Sequence, residues 1–296
     1  MSDRLASADF LASMALTSAA RAEAARAIRP AQALRASLRD RPSPVNWQRS
    51  SEGFDLIAEV KWRSPAVGTL RAASSTDLSA RLDAYTSAGA AAISVLTEPT
   101  RFEGSLAYLE QASSQLASSS PQVPALRKDF LVDAYQLLEA RAAGAGGVLL
   151  IARMLEPKTL ASLLASALEE NLCVLLEIFD EADVERSMTA LASLRQPQTE
   201  LAQRVWLGVN SRDLVTLQVV PDRLESMVAC LPREYVRVAE SGVASAADAA
   251  RLASVGYDAA LVGSALMASA EPETLARAML QAAREVRGRR ARADLV

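Results

Sequence analysis

Hydrophobic residues change their spacing along the chain near residue 50. Before that point they recur at helical intervals, as at Phe10 and Met14. The stretch from Pro42 to Pro44 ends this region, because proline and the residue before it disfavour helical geometry. We therefore expect an N-terminal helical extension over residues 1–50, packed on a domain that residues 51–296 form.

Beyond residue 50, short apolar runs rich in β-branched residues alternate with segments of helical periodicity. Each run has the length and composition of a strand that is buried on both faces. The eight runs lie near residues 55–60, 91–96, 123–127, 147–152, 172–178, 204–209, 235–239 and 258–262. Between them, helix starts are indicated by residues that cap helices or favour a first turn. These residues are Thr76, Asp133, Pro157 and Pro221.

Eight strands alternating with eight helices predict an α/β fold, a (β/α)8 TIM barrel with an N-terminal helical extension. A doubly wound open sheet is the alternative, but no GxGxxG motif follows the first strand. The connection from Asp180 to Val205 is longer than one helix and a short loop require. We expect residues 195–199 to form an inserted surface loop, since surface loops tolerate insertions.

The overall charge argues against a polyanion-binding protein. The chain has 32 Lys and Arg residues against 35 Asp and Glu residues, a net charge of −3, whereas nucleic-acid binding depends on clustered positive charge. A basic run at the C-terminal end comprises Arg287, Arg289, Arg290 and Arg292. We interpret it as a solvated helix end that the helix dipole favours. No nucleic-acid partner is expected, and the oligomeric state is expected to be a monomer or a weak homodimer.

Cysteine usage and hydropathy indicate a reducing, cytoplasmic environment. Cys173 and Cys230 are the only cysteines, and neither belongs to a CxxC motif. Cys173 lies inside an apolar run, where a free thiol packs as a small hydrophobe. No apolar stretch approaches the roughly 20 residues of a membrane span, and no signal-peptide core is present. We therefore expect no membrane association.

The chain contains no histidine. This absence excludes Ser-His-Asp and Cys-His nucleophile systems and the usual zinc ligand sets. Acid–base catalysis would therefore depend on Lys, Glu, Asp, Tyr or Cys side chains with shifted pKa values.

Charged residues end several of the predicted strands, where barrels place their working residues. Glu59 and Lys61 end the first strand and are two residues apart, so both side chains point to the barrel interior. Lys128 ends the third strand, and Glu177 is a lone carboxylate in the apolar fifth strand. A surface salt pair is the alternative for Glu59 and Lys61.

Burial of the Glu177 carboxylate would cost several kcal/mol unless the group is paired or neutral. It could form a plain buried salt bridge with Lys128 or Lys61. Alternatively, lysines and carboxylates share a wet pocket and tune one another's pKa values.

Polar residues also end the sixth, seventh and eighth strands. Asn210 and Arg212 share one side of the sixth strand, offering an amide and a guanidinium that suits a carboxylate. Ser241-Gly242 and Gly263-Ser264 follow the next two strands. Glycine lets backbone N–H groups approach an anion, and barrels often bind phosphate at this corner. The two pairs together predict a phosphate site.

These strand-end motifs, taken in order, resemble those of the indole-3-glycerol phosphate synthase family. The resemblance extends from about Leu56 to Met267. The motifs that carry it are IAEVKWRSP, VLTEPTRFEGS, ALRKDF, LLEIF, GVNSRDL, AESGV and LVGSALM.

The resemblance implies a carboxy-lyase of tryptophan biosynthesis that acts on a phosphorylated small molecule. Its substrate would be 1-(2-carboxyphenylamino)-1-deoxyribulose 5-phosphate, and its products indole-3-glycerol phosphate, carbon dioxide and water. The resemblance also implies that no metal and no organic cofactor are needed. Two alternatives stay open: a paralogue acting on a substituted anthranilate derivative, and a barrel that only binds or isomerises a sugar phosphate.

By the same resemblance, Lys128 would be the general acid that protonates the substrate ketone. Lys61 would contact the substrate carboxylate and assist the later loss of hydroxide. Glu177 would act as a base or stabilise the developing iminium charge. The other implied residues either orient these groups or bind the substrate. The orienting residues are Glu59, Asn210 and Glu240; Ser64, Ser241, Gly242, Gly263 and Ser264 hold the phosphate with Arg212 nearby, and Phe130 and Leu131 line the anthranilate pocket.

The chain departs from the family pattern at several positions. Trp62 stands where a basic residue is usual, Ala66-Val67 replace a more polar pair, and Ser211 replaces an asparagine. Gly146 stands where an acidic residue is frequent, and Phe179 where a histidine is common. None of these changes removes an implied catalytic group.

Overall fold

The computed structural model describes residues 2–39, 41–66, 68–214 and 216–293. Eight parallel strands close into a barrel, in which the first strand pairs with both the second and the eighth. This closure confirms the predicted barrel and excludes the open sheet. The strands are β1 (Asp55–Val60), β2 (Ala92–Leu96), β3 (Ala125–Lys128), β4 (Gly147–Ile151), β5 (Cys173–Ile178), β6 (Val205–Asn210), β7 (Val236–Glu240) and β8 (Ala259–Val262). Each lies within two residues of its predicted span.

Two helices precede the barrel, and the others alternate with or follow its strands. The helices are α1 (Ser2–Ile28), α2 (Ala31–Ala36), α3 (Ser75–Ala88), α4 (Leu106–Ala117), α5 (Ala134–Ala142), α6 (Pro157–Glu169), α7 (Glu181–Ala192), α8 (Gln198–Arg204), α9 (Arg223–Met227), α10 (Ala246–Val255), α11 (Ser264–Ala268) and α12 (Pro272–Ala293). Arg63–Ser64 and Gly68–Thr69 form a short antiparallel pair after β1. No helix in the described part of the chain is long and apolar enough to cross a membrane.

Local capping explains where most of the predicted helices begin. Asp133 caps α5 through a complete capping box, and Pro157 is the first residue of α6, as predicted. The prediction at Thr76 was two residues late, because Ser74 is the cap of α3 and accepts a hydrogen bond from the Asp77 N–H at 3.0 Å. Pro221 lies before the cap of α9 rather than inside the helix.

Two further expectations are corrected by longer-range contacts. The inserted segment is not all loop, because α8 begins at Gln198 and packs Leu201 into the core. The C-terminal basic run is not simply a solvated helix end, since Arg287 forms an ion pair with the buried Asp258 at 2.9 Å. The side chains of Arg290 and Arg292 lie outside the described residues.

Successive side chains of each strand alternate between two hydrophobic clusters. On β5, Val174 and Leu176 pack with the surrounding helices, whereas Cys173 and Leu175 pack inside the barrel. The Cys173 thiol therefore behaves as the small hydrophobe that the sequence predicts. Glu177 occupies the next interior position, so the alternation itself delivers a carboxylate to the carboxyl end of the barrel.

The segment between α2 and β1 closes the opposite end of the barrel. The ring of Trp47 packs edge-on against the ring of Trp206, with centroids 4.8 Å apart. Gly147 makes room for it, because a Cβ atom there would lie 2.7 Å from the Trp47 ring. Arg141 of α5 also donates a hydrogen bond to the Pro42 carbonyl at 2.6 Å. These contacts leave the carboxyl end of the barrel as the open end.

Candidate active site

A cavity of about 480 Å³ opens at the carboxyl ends of the strands. It is lined by thirteen of the fourteen site residues that were predicted from the sequence. These are Glu59, Lys61, Ser64, Lys128, Phe130, Glu177, Asn210, Arg212, Glu240, Ser241, Gly242, Gly263 and Ser264. Leu131 does not line the cavity: it is fully buried in the cluster between the strands and the helices. The residue after an inward-facing Phe130 points outward, as the alternation of an extended chain requires.

Two lysine–carboxylate pairs face the cavity, each formed by a partly buried lysine and a buried carboxylate. Lys61 Nζ lies 2.7 Å from Glu59 Oε1, and Lys128 Nζ lies 3.3 Å from Glu177 Oε2. A third carboxylate, that of Glu240, is 3.8 Å from the same Lys128 Nζ. Burial of Glu59 excludes the surface salt pair that was the alternative for Glu59 and Lys61. The cluster therefore sits where weak screening makes each charge affect the others.

The pairing overrides the effect of burial on two of the groups. Burial alone would lower the pKa of Lys128, but Glu177, Glu240 and Glu59 outweigh it and hold that pKa above its ordinary value. Burial alone would raise the pKa of Glu59, yet Lys61 and Lys128 hold it below its ordinary value. At neutral pH the cavity therefore contains a protonated Lys128 and an ionised Glu59.

Glu240 differs from the other carboxylates. Burial and the neighbouring Glu177 charge raise the pKa of Glu240 well above its ordinary range, against the attraction of Lys128. Neither of its carboxyl oxygens has a hydrogen-bond partner among the described residues. Glu240 is therefore the carboxyl group of the cluster whose environment most favours the neutral form.

Glycines at two interior positions make room for the charged side chains. A Cβ atom on Gly208 would lie 2.0 Å from Glu240 Oε1 and 3.0 Å from Leu175 Cδ1. A Cβ atom on Gly263 would lie 2.3 Å from Glu59 Oε1 and 2.9 Å from Lys61 Nζ. Gly263 was predicted only as part of a phosphate site, and Gly208 was not singled out at all. Both accommodate the acid–base cluster.

The two polar pairs after β7 and β8 lie on the same wall of the cavity. Ser241-Gly242 has both residues in the left-handed region, with φ angles of 68° and 73°. A Cβ atom on Gly242 would also lie 3.0 Å from a methyl group of Val219, so glycine suits both the backbone and the space. Gly263-Ser264 follows the neighbouring strand, β8, and leads directly into α11. Both pairs therefore line the cavity at the ends of adjacent strands.

Arg212 is held over the cavity by the loop that follows β6. Its Nη1 donates to the Leu217 carbonyl at 2.6 Å, and its backbone N–H donates to Asn210 Oδ1 at 2.9 Å. Burial lowers the pKa of Arg212, and the charge of Glu59 only partly opposes this effect. Asn210 and Arg212 share one side of the cavity, as their spacing predicts.

Two aromatic residues that the sequence did not mark also line the cavity. Phe10 of α1 meets Phe130 in an edge-on contact with ring centroids 6.0 Å apart, and Phe102 lies 6.2 Å from the same ring. The three rings together form an apolar part of the cavity wall. Phe102 belongs to the TRFEGS motif that carries part of the resemblance, which was a usable signal. Phe10 gave no local signal, because only the packing of α1 brings it there.

The departures from the family pattern have local explanations. Trp62 is buried and packs edge-on against Tyr108 at 5.7 Å, so it does not line the cavity. Phe179 packs beneath the guanidinium of Arg153 at 4.4 Å. A Cβ atom on Gly146 would lie 2.0 Å from the Val45 carbonyl oxygen, which excludes an acidic side chain there.

Two more departures lie close to the cavity itself. Ser211 is buried and donates a hydrogen bond to the Glu240 carbonyl at 3.2 Å. Ala66 lines the cavity, and Val67 lies outside the described residues. In the part of the chain that the structure describes, no group of three or more Cys, Asp or Glu side chains is arranged to hold a metal ion.

A closed barrel with an acid–base cluster and a Ser-Gly corner at the carboxyl ends of its strands defines a TIM-barrel enzyme. The model of the indole-3-glycerol phosphate synthase family matches residues 11–279. The chain therefore belongs to the indole-3-glycerol phosphate synthase family.

Individual relatives agree with the family assignment. The chain is 41% identical over 227 residues to an indole-3-glycerol phosphate synthase of Nocardioides sp., covering 77% of this chain and 80% of the relative. It is 41% identical over 223 residues to indole-3-glycerol phosphate synthase 1 of Streptomyces coelicolor, covering 75% and 76% of the two chains.

A solved structure supports the fold alone. The structure of 3-hexulose-6-phosphate synthase from Salmonella typhimurium matches with a TM-score of 0.57 and 16% identity. The match covers 78% of this chain and 99% of the other.

Gly208→Ala is expected to lower the free energy of unfolding by about 1–3 kcal/mol, because the new methyl group must displace Glu240 and Leu175. The matched control is Gly288→Ala in α12, where a Cβ atom would meet nothing within 4 Å. That control is expected to gain up to about 1 kcal/mol in helix propensity. Urea denaturation of both variants measures the difference, and equal effects would contradict the crowding at Gly208.

Glu240→Gln is expected to become progressively more stable than the parent chain as pH rises. The folded state raises the pKa of Glu240, whereas the pKa of a glutamate in the unfolded chain is about 4.3. Between these two pKa values the folded state holds a proton that the unfolded state has lost, so stability falls with rising pH. Glutamine does not titrate. Urea denaturation from pH 5 to pH 9 tests this, and a stability difference that stays constant with pH would contradict it.

Proposed function

We propose that this chain closes the indole ring of 1-(2-carboxyphenylamino)-1-deoxyribulose 5-phosphate, releasing carbon dioxide and water. The observation that carries the proposal is the presence of two lysine–carboxylate pairs in one cavity, in a chain of this family. The reaction needs a proton donor at a ketone, a cation at a carboxylate and a base. The cavity contains groups of each kind without any histidine.

In the first step, Lys128 acts as the general acid. The ring carbon that bears the carboxylate attacks the ketone carbon, and a C–C bond forms between them. The ketone oxygen takes a proton from Lys128 Nζ and becomes a hydroxyl group, while the ring nitrogen takes on iminium character. The ammonium of Lys128 is held by Glu177 at 3.3 Å, and a positioned acid of this kind lowers the barrier substantially.

In the later steps, Lys61 and Glu177 complete the reaction. Lys61 holds the substrate carboxylate, which leaves as carbon dioxide while its bonding electrons restore the aromatic ring. The hydroxyl group then leaves as water with a proton from Lys61, and the carbon next to the nitrogen loses a proton as the C=C bond of the indole forms. Glu177 stabilises the iminium charge or accepts that proton. Glu59 lies 2.7 Å from Lys61 Nζ and orients it, with Asn210 and Glu240 as further orienting groups.

The two ends of the substrate would bind to opposite walls of the cavity. Ser64, Arg212 and the pairs Ser241-Gly242 and Gly263-Ser264 would hold the phosphate. Phe130 would pack on the anthranilate ring, with Phe10 and Phe102 completing the apolar wall. Binding both ends restricts a flexible sugar chain and brings the ring carbon to the ketone, which is a large part of the catalytic effect in such reactions.

Lys128→Met is expected to lower kcat by about 10²–10⁴-fold, because it removes the acid and keeps the length of the side chain. The exposed Lys158→Met in α6 is the matched control and is expected to keep parental turnover. Fluorescence of the indole product, after addition of the substrate, measures the rate.

Two outcomes would contradict this assignment. Parental turnover in a folded Lys128→Met variant would mean that Lys128 is not the acid. A parental chain that binds the substrate without turnover would be a sugar-phosphate-binding barrel, and the proposed reaction would be wrong.

A further inference from the structure

A fully buried carboxylate, that of Asp129, directly follows Lys128 at the end of β3. Arg21 of α1 donates two hydrogen bonds to it, from Nη2 to Oδ1 at 2.7 Å and from Nη1 to Oδ2 at 3.0 Å. The Thr97 hydroxyl donates at 2.7 Å and the Phe130 backbone N–H at 2.8 Å. A bidentate contact of this kind fixes direction as well as distance.

A second set of contacts, which runs through Arg127 and Gln136, also joins α1 to β3. Arg127 is buried; its Nη2 lies 3.4 Å from Asp129 Oδ2, and its Nη1 donates to the Gln136 carbonyl at 2.7 Å. Gln136 Nε2 in turn donates to Ser18 Oγ of α1 at 2.8 Å. Burial alone would raise the pKa of Asp129, but Arg21 and Arg127 outweigh it and lower that pKa. The carboxylate therefore stays ionised and keeps its partners.

The pair lies between two parts of the candidate active site. On one side, Asp129 separates Lys128 from Phe130, and both of these residues line the cavity. On the other side, the helix that carries Arg21 also carries Phe10, roughly 16 Å away along the helix axis. Phe10 reaches the cavity and meets the Phe130 ring at 6.0 Å. The pair thus joins both halves of the aromatic wall.

We propose that Arg21 and Asp129 form a positioning pair for the active site. The pair fixes the register of α1 on the barrel, and through it the distance between Phe10 and Phe130. It also holds the backbone that aims the Lys128 ammonium at the substrate. This inference rests on the proposed function, which supplies the reaction that the pair supports, and it assigns a role to residues that do not themselves react.

If the pair had a purely structural role, its loss would change the stability of the chain and leave the kinetic constants of the folded fraction unchanged. A matched control exists on the same helix, where Arg26 pairs with Asp133 at 2.5 Å. That pair also joins α1 to the segment after β3, but both of its side chains are partly exposed, and Asp133 is four residues beyond Asp129.

The experiment compares Arg21→Met, Arg21→Lys and Arg26→Met with the parental chain in the indole-forming assay. All are assayed where circular dichroism shows each variant to be folded. Arg21→Met is expected to lower kcat at least tenfold and to raise KM severalfold, since both the acid and the aromatic wall lose their support. Arg21→Lys keeps the charge but not the bidentate geometry, so it should recover part of both losses. Arg26→Met should change neither constant more than twofold.

The outcomes separate this inference from the proposed function. No turnover by the parental chain would count against the proposed function itself. Parental turnover together with kcat and KM within twofold of parental values in folded Arg21→Met would overturn the positioning role alone. Should Arg21→Met not fold, Arg21→Lys decides: a loss of kcat/KM of at least threefold supports the inference, and parental kcat/KM overturns it.

Discussion

The burial of three carboxylates beside two partly buried lysines is the constraint on which the rest of the candidate active site depends. Each isolated charge would be expensive to remove from water, so the side chains must lie close enough to pair. Lys61 pairs with Glu59 and Lys128 with Glu177, and burial together with the Glu177 charge raises the pKa of Glu240. The barrel meets this demand through the alternation of side chains along each strand, which places the charged residues at the carboxyl ends of the alternate strands β1, β3, β5 and β7.

The interior of the barrel also needs space for these groups. Gly208 and Gly263 provide it, because a side chain at either position would collide with a carboxylate of the cluster. The N-terminal segments complete the arrangement from both ends. Trp47 fills the closed end against Trp206, and Phe10 contributes to the apolar wall at the open end. One stretch of chain thus supports the packing of the barrel and the shape of the cavity.

The strands and the charged cluster could be predicted because both follow from local patterns. Glu59, Lys61 and Glu177 could be identified from the sequence because each is a charged residue on the inward-facing side of an apolar strand. Contacts between distant segments could not be predicted in this way. Phe10 lies more than a hundred residues from Phe130, and Arg21 is equally far from Asp129, so no spacing along the chain links them.

The smaller errors have the same origin. Leu131 was assigned to the cavity from the family resemblance, but it follows the inward-facing Phe130, and adjacent residues of an extended segment face opposite ways. The helix from Gln198 was assigned to an inserted loop because of the length of the connection, although Pro197 stands at its start, where proline is favoured. The basic run near the C-terminus was interpreted as solvated because the partner of Arg287, Asp258, is 29 residues away along the chain.

In the proposed reaction, Lys128 contacts the ketone of the substrate and Lys61 contacts its carboxylate. A crystal structure of the chain with a substrate analogue whose ketone is reduced to an alcohol tests it most directly. The account predicts Lys128 Nζ within hydrogen-bond distance of that alcohol oxygen, Lys61 Nζ at the carboxylate, and the phosphate at Ser241-Gly242 and Gly263-Ser264. Lys61 at the alcohol oxygen with Lys128 at the carboxylate, or a phosphate bound elsewhere, would contradict it.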